Sequence, residues 1–307
     1  MSPAQARSLP GGSRRAASTG DPASRIAWPN KAGLLLVLIL FAAYCLLPVW
    51  WLVVSATKNS AELFATSGFW FAHGFDLASN LRELFDFQSH IFERWILNTL
   101  GYAVIGSALA TLFAAGAGYV FAKYRFTGRR FFFAVVLGGV LLPPNVLAIP
   151  LYLLFSQVHA TNTYWSVFLP SLVSPFGVYL CRIYAEAGVP DELLEAARID
   201  GAGEIYVFRS IALRLMRPAL ITVFLFQLVA IWNNVLLPLV MLNDQHLYPI
   251  TLGLYSMYAS ASAIGAPPNA TALVVTGVLV SVIPLIIAFI ALQRYWRGGV
   301  AVGAIRG

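Results

Sequence analysis

Charge is scarce in this chain. Its 307 residues include 20 Lys or Arg and 13 Asp or Glu, so 11% are charged, against 59% hydrophobic. With a mean hydropathy of +0.75, that composition excludes an ordinary soluble domain, where about 25% of residues are charged. Cysteine is limited to Cys45 and Cys181, both in or at the edge of apolar runs, which argues against a disulfide and leaves the redox environment unread. His73, His90, His159 and His246 are scattered without ligand spacing and read as solvated loop residues, with no metal site. No Gly-x-x-x-x-Gly-Lys-Ser/Thr loop occurs, which removes the usual cradle for nucleotide phosphates. An intramembrane enzyme would need a nucleophile with a base or a paired metal site, and no His-Glu-x-x-His or similar cluster is present, so that class is disfavoured.

What the chain has is long runs without charge. No Asp, Glu, Lys or Arg lies between Lys31 and Lys58, Arg94 and Lys123, Arg130 and Arg182, Arg217 and Asp244, or Asp244 and Arg294. A membrane-spanning helix needs about 20 apolar residues, and one charge at its centre costs about 2.5–3.5 kcal/mol on insertion scales. The third and fifth windows are twice that length. The third divides at the polar residues His159 to Thr163. In the fifth, Gln245 to Ala270 carries Tyr248-Pro249 and Gly265-Ala-Pro-Pro-Asn269, which predicts a surface loop ahead of the last span. Spans are expected near 33–55, 96–122, 131–156, 164–183, 218–242 and 272–293, an all-α membrane protein of six transmembrane helices.

With six spans both termini share a side. The tails, the 123–130 loop and the 182–217 loop hold 17 of the 20 Lys and Arg, leaving Lys58, Arg82 and Arg94 opposite. The positive-inside rule makes both tails and the 182–217 loop cytoplasmic in a bacterial cytoplasmic membrane. The net charge of +7 thus follows topology and does not imply nucleic acid. Residues 1–31, rich in Ser, Gly, Pro, Ala and Arg, read as a disordered cytosolic tail. The first apolar run is long enough to span and lacks a cleavage site, which speaks against a signal peptide. Residues 32–293 form the membrane domain, with a loop at 184–217, and 294–307 a second cytosolic tail.

The 184–217 loop is the polar interruption. Asp191 is expected to cap a helix whose first turn holds Glu192 and Glu195. Ala196 and Ala197 leave a low surface on which another backbone can pack, and Gly201 is placed to end the helix in a left-handed conformation. Ile205, Phe208, Ala212 and Leu215 are spaced to form the apolar stripe of a second helix. Periodicity alone equally allows an amphipathic segment on the lipid surface, helped by Arg209, Arg214 and Arg217.

Glu195-Ala-Ala197, Asp200-Gly-Ala202 and the run to Arg217-Pro218 resemble the cytoplasmic coupling loop of ATP-binding-cassette importer permeases. The resemblance covers nearly all of the chain after residue 32. Leu142-Pro-Pro-Asn-Val-Leu-Ala-Ile-Pro-Leu-Tyr152, Asn162-Thr-Tyr164, Pro175-Phe-Gly177, Trp232-Asn-Asn234, Asn243-Asp244, Leu292-Gln-Arg-Tyr-Trp296 and Gly303-Ala-Ile-Arg-Gly307 are similar to its carbohydrate branch, maltose-permease G-type subunits included. Where that branch has Leu-Pro, this chain has Leu213-Arg214, which leaves the bend of the loop to Pro218.

The resemblance implies a type I importer permease fold and a division of labour. The expected partners are a second, different permease subunit, an ATPase dimer that uses ATP and Mg, and an extracytoplasmic solute-binding protein. This chain, surrounded by membrane lipid, would bind no cofactor and catalyse nothing. Glu195, Ala196, Ala197, Asp200, Gly201 and Ala202 would engage the ATPase, with Arg306 and Gly307 as further tail contacts. ATPase closure would then drive alternating access through spans three to five.

At membrane depth, Asn145, Gln227, Trp232, Asn233 and Asn234 are the candidates for a substrate pathway, since a sugar needs hydrogen bonds and aromatic faces. The same amides serve equally as interhelical glue. The outer segment from Lys58 to Arg94 carries Glu62, Asp76, Glu83, Asp86 and Glu93; with the 243–270 loop it is expected to face the binding protein. A secondary transporter is the main alternative, but the expected spans hold no acid of the kind such carriers use. A membrane scaffold is the other, and co-purification with an ATPase separates it.

Overall fold

The computed structural model describes the backbone of residues 28–304 and the side chains of residues 31–293. Every regular element among them is helical. The chain divides into two compact units, residues 1–50 and 51–307. The described part of the first is residues 28–50 of helix Trp28–Ala56, which contains Pro48; this stretch is apolar, and its described side chains, Lys31 to Trp50, are exposed. The tail ahead of Trp28 lies outside the described residues.

Lys31–Ala56, Ile91–Lys123, Tyr164–Gly188 and Ala270–Gln293 are each long and apolar enough to cross a membrane, and two bent pairs raise the count to six. The first pair, Arg129–Leu141 with Pro144–Gln157, turns by 101° and makes span three. The second, Glu204–Leu215 with Arg217–Trp232, turns by 80°. Its first arm carries Glu204, Arg209 and Arg214, too many charges for a bilayer interior, so the fifth crossing starts at Arg217.

Three spans expected to be continuous are broken. Leu142 and Pro143 are extended (ψ 122° and 127°), because each precedes a proline that disfavours helical geometry. Span four stops at Ser171 and restarts at Pro175, where the Ser174 hydroxyl accepts the Gly177 N–H at 3.2 Å. Span five, expected over 218–242, ends at Trp232 and resumes only over Leu236–Met241. There the Asn234 Oδ1 accepts the Leu237 N–H at 3.2 Å.

The 245–270 segment is also different from expectation. It contains helix Ile250–Ala261, with Ile250, Leu252, Gly253, Leu254 and Met257 buried. The turn residues that suggested a loop only flank this helix. Gly253 lets it approach the Trp95 ring: a Cβ there would lie 2.2 Å from Trp95 Cε3.

Spans two and four pack through small residues. Ser107, Ala110, Thr111, Ala114, Ala115 and Gly118 are buried along one face of Gly106–Lys123, the pattern that lets membrane helices approach when no hydrophobic force drives them together. One apolar core gathers Phe92, Trp95, Trp232 and Leu252. A second gathers Tyr119, Cys181, Leu194, Val207 and Met216. Span two has residues in both, and its 33 residues extend about 50 Å at 1.5 Å per residue.

Candidate coupling knob and membrane cavity

Helix Asp191–Ile199 ends as the glycine predicts. Gly201 has φ +84°, the Ala202 N–H donates to the Ala197 carbonyl at 2.9 Å, and the Gly201 N–H donates to Arg198 at 3.0 Å. These two bonds form a Schellman cap, which satisfies carbonyls that the helix end leaves open. The expected cap at the other end is not made. Pro190, extended at ψ 136°, occupies the cap position with no side-chain bond. Asp191 is instead the first helical residue and accepts from Lys123 Nζ at 2.7 Å, giving a counter-charge to a lysine side chain that is 7% exposed.

Opposite faces of this helix have opposite fates. Leu194 is 2% exposed and belongs to the core with Val189, Val207, Ala212 and Met216. Glu192, Glu195 and Ala196 face outward, as do Asp200 and Gly201, while Ala197 and Ala202 are half-buried. Each buried Val, Leu or Met of this set contributes about 1.5–3 kcal/mol at an aqueous end of the bundle. The inner face is therefore anchored, and the Glu-Ala surface is presented.

The second helix differs from the expected stripe. Ile205 is 83% exposed and Leu215 42%, whereas Val207, Ala212 and Met216 are buried, and Phe208 lies 5.3 Å from the Tyr119 ring. The cause is a π-helical turn at Phe208–Ala212, whose extra residue shifts the helical register. Because the true stripe is covered by protein, this segment is not free to lie on lipid by that face. The chain still turns 80° into Arg217–Trp232, with Pro218 in the first turn, so Leu213-Arg214 does not remove the bend.

Sequence reasoning missed the polar ties of the knob. Arg198 grips Glu204 with both nitrogens, Nε–Oε1 2.8 Å and Nη2–Oε2 3.2 Å, and the Tyr124 hydroxyl donates to Glu204. The Arg198 guanidinium first, and the Tyr124 phenol second, hold the Glu204 carboxyl below its usual range. Arg198 and Glu204 flank the glycine turn, which is the one signal that would have found them; Lys123 and Tyr124 left none.

A cavity of about 820 Å³ lies where spans three, four and five break, lined by Asn145, Ser171, Ser174, Phe176, Gln227, Asn233 and Asn234 among others. Irregular backbone at membrane depth is tolerated where it lines such a space. Gln227 Nε2 donates to the Ser171 carbonyl at 2.9 Å, and Asn234 caps its own short helix, so both also serve the bundle. The Asn145 and Asn233 residues are exposed and line the cavity, and their side-chain amides have no hydrogen-bond partner among the described residues. Trp232 is the exception among the candidates: it is 3% exposed, belongs to the apolar core with Trp95 and does not line the cavity. Ser171, Ser174 and Phe176 were missed, although Ser174-Pro175 carries a helix-start signal.

The far end of the bundle is polar. Asn269 donates to Glu83 at 2.7 Å and to Asn80 at 3.2 Å, joining the two segments expected to face outward. The four histidines are exposed. Arg306 and Gly307 lie outside the described residues.

The family model described as "Binding-protein-dependent transport system inner membrane component" matches residues 110–300, which contain both the knob and the cavity. The chain belongs to this family. Over 284 residues the permease is 30% identical to the arabinooligosaccharides transport system permease protein AraQ of Bacillus subtilis, covering 90% of this chain and 96% of that one. It is 35% identical over 220 residues to the protein of the same name from Halalkalibacterium halodurans, covering 72% and 76%. Among solved structures, a bacterial ABC transporter involved in import of the acidic polysaccharide alginate matches with TM-score 0.76 at 22% identity, over 88% of this chain and 99% of that one. That likeness shows the fold, a type I importer permease. The permease is thus a membrane-embedded subunit of an ATP-driven, binding-protein-dependent importer.

Proposed function

We propose that this permease forms half of an import channel for a saccharide, paired with a second permease subunit. An ATPase dimer seats on the 191–202 knob from the cytosol, and a solute-binding protein docks at the opposite end. The observation that carries this reading is the two-faced knob: Leu194 holds it to the bundle while Glu195 and Ala196 are exposed on the helix that the Gly201 turn ends. In this reading Glu195 makes polar contacts to the ATPase and the alanines allow close fit. Closure of the ATPases would swing the knob as a body, and the broken spans around the cavity would rock with it.

The saccharide assignment is supported by the cavity, which Asn145, Asn233 and Phe176 all line, and by the oligosaccharide in the relatives' names. Nucleotide chemistry is left to the partner: ATP and Mg bind the ATPase, and this chain supplies no cofactor site. The test is ATP hydrolysis by the complete reconstituted complex, titrated with substrate-loaded binding protein. Stimulated hydrolysis is expected only in the complex, and Asn233→Leu is expected to reduce uptake by up to about tenfold, the worth of one or two hydrogen bonds. Turnover by an ATPase-free preparation of this chain would remove the assignment.

A further inference from the structure

Span two carries two sets of directional contacts, one at each end of the same helix. Near its start, one face grips the backbone of residues 245–250. Arg94 Nε donates to the His246 carbonyl at 3.0 Å, Trp95 Nε1 to Gln245 at 2.9 Å, and Asn98 Nδ2 to His246 and Tyr248 at 2.8 and 3.0 Å. The Thr99 hydroxyl accepts the Ile250 N–H at 2.6 Å, and the Tyr102 hydroxyl donates to Leu247 at 3.2 Å. Residues 94, 95, 98, 99 and 102 repeat at helical spacing, so a single face makes all of these bonds. At the other end, Lys123 holds Asp191 and Tyr124 holds Glu204, one on each helix of the knob.

We propose that span two is a signal rod: displacement of the 245–250 segment by a docked protein moves this helix, and Lys123 and Tyr124 pass the movement to the knob. The proposal rests on the placement of binding protein and ATPase given above. Three features favour it. Hydrogen bonds to backbone carbonyls and an ion pair are directional, so the grip at each end moves with the helix. The shaft between them meets span four at Ala114, beside Gly177, and at Gly118, beside Cys181, with side chains too short to interlock, which suits a small sliding motion. Finally, the helix has a π-helical turn at Gly101–Ile105 that includes Tyr102 of the outer grip, the kind of interruption found frequently at functional sites in helices.

The experiment uses the reconstituted complex and measures stimulation of ATP hydrolysis by substrate-loaded binding protein, beside unstimulated hydrolysis and yield of assembled complex. Asn98→Leu removes the two bonds to the His246 and Tyr248 carbonyls, together with the bond that Asn98 Oδ1 accepts from the Tyr164 hydroxyl at 3.2 Å, and Lys123→Met removes the inner ion pair. Each is expected to lower stimulation at least about fivefold, the lower edge of typical coupling between sites, with unstimulated hydrolysis unchanged. Their combination is expected to be no worse than the weaker single variant, because links in series are not additive. Lys123→Asp combined with Asp191→Lys is expected to restore stimulation, and it carries the test if Lys123→Met fails to assemble. Full stimulation in either single variant, losses that multiply in the double, or no rescue by an assembled charge swap would overturn the rod. A native complex that shows no stimulation at all would instead remove the functional reading beneath it.

Discussion

Gly201→Val is expected to abolish transport while the permease still reaches the membrane. At φ +84° a β-branched residue is a genuine outlier, and strained backbone of this kind costs about 1–3 kcal/mol. The cost is purely conformational, since a Cβ at Gly201 meets nothing within 4 Å. Relaxation would therefore proceed by unwinding the turn, and with it the bonds from Ala202 to Ala197 and from Gly201 to Arg198. That would detach the orientation of the Glu195 surface from the second helix while leaving the spans intact. Gly201→Asn, a residue that accepts left-handed geometry more readily, should retain most uptake. Substrate uptake at matched membrane levels distinguishes the two; wild-type uptake by Gly201→Val would contradict the role of the turn.

Gly118→Leu is expected to act on folding itself. A Cβ at this position would stand 2.6 Å from Cys181 Cβ and 2.7 Å from the Arg182 backbone nitrogen, so the obstacle is partly backbone that no rotamer change can clear. Overpacking typically costs about 1–3 kcal/mol, and a contact with main chain lies at or beyond the upper end because the two helices must separate along their length. The expected result is loss of monodisperse protein after detergent extraction, with even Gly118→Ala lowering the thermal midpoint. Gly188→Ala is the control, since nothing lies within 4 Å of a Cβ there. Gly118→Leu protein with native yield and midpoint would contradict the close packing of spans two and four.

Some of this was legible in the sequence, and physical reasons separate it from the rest. Charge-free windows locate the spans because a bilayer penalises charge whatever the backbone does. The same insensitivity hides the breaks: Leu142-Pro-Pro144 and Trp232-Asn-Asn234 sit in runs whose hydropathy stays high while the backbone turns. Gly201 was legible because only glycine takes φ +84° without strain. The helix after it was misread because a π-turn at Phe208–Ala212 moves the buried face from Ile205 and Leu215 to Val207 and Met216. The Ile250–Ala261 helix was concealed by the prolines and glycine that bound it. The tie between Lys123 and Asp191 joins residues 68 positions apart, and no local pattern encodes such a pair.

Sidedness is the claim on which the placement of both partners depends. Ala197→Cys and Ser260→Cys, each in a background of Cys45→Ala and Cys181→Ala, place one thiol on the knob and one on the exposed end of helix Ile250–Ala261. Intact cells are treated with a membrane-impermeant thiol reagent, and labelling is compared before and after permeabilisation. The account expects Ser260→Cys to label in intact cells and Ala197→Cys only once the membrane is opened. Labelling of Ala197→Cys but not Ser260→Cys in intact cells would invert the topology and contradict the coupling of this knob to a cytosolic ATPase.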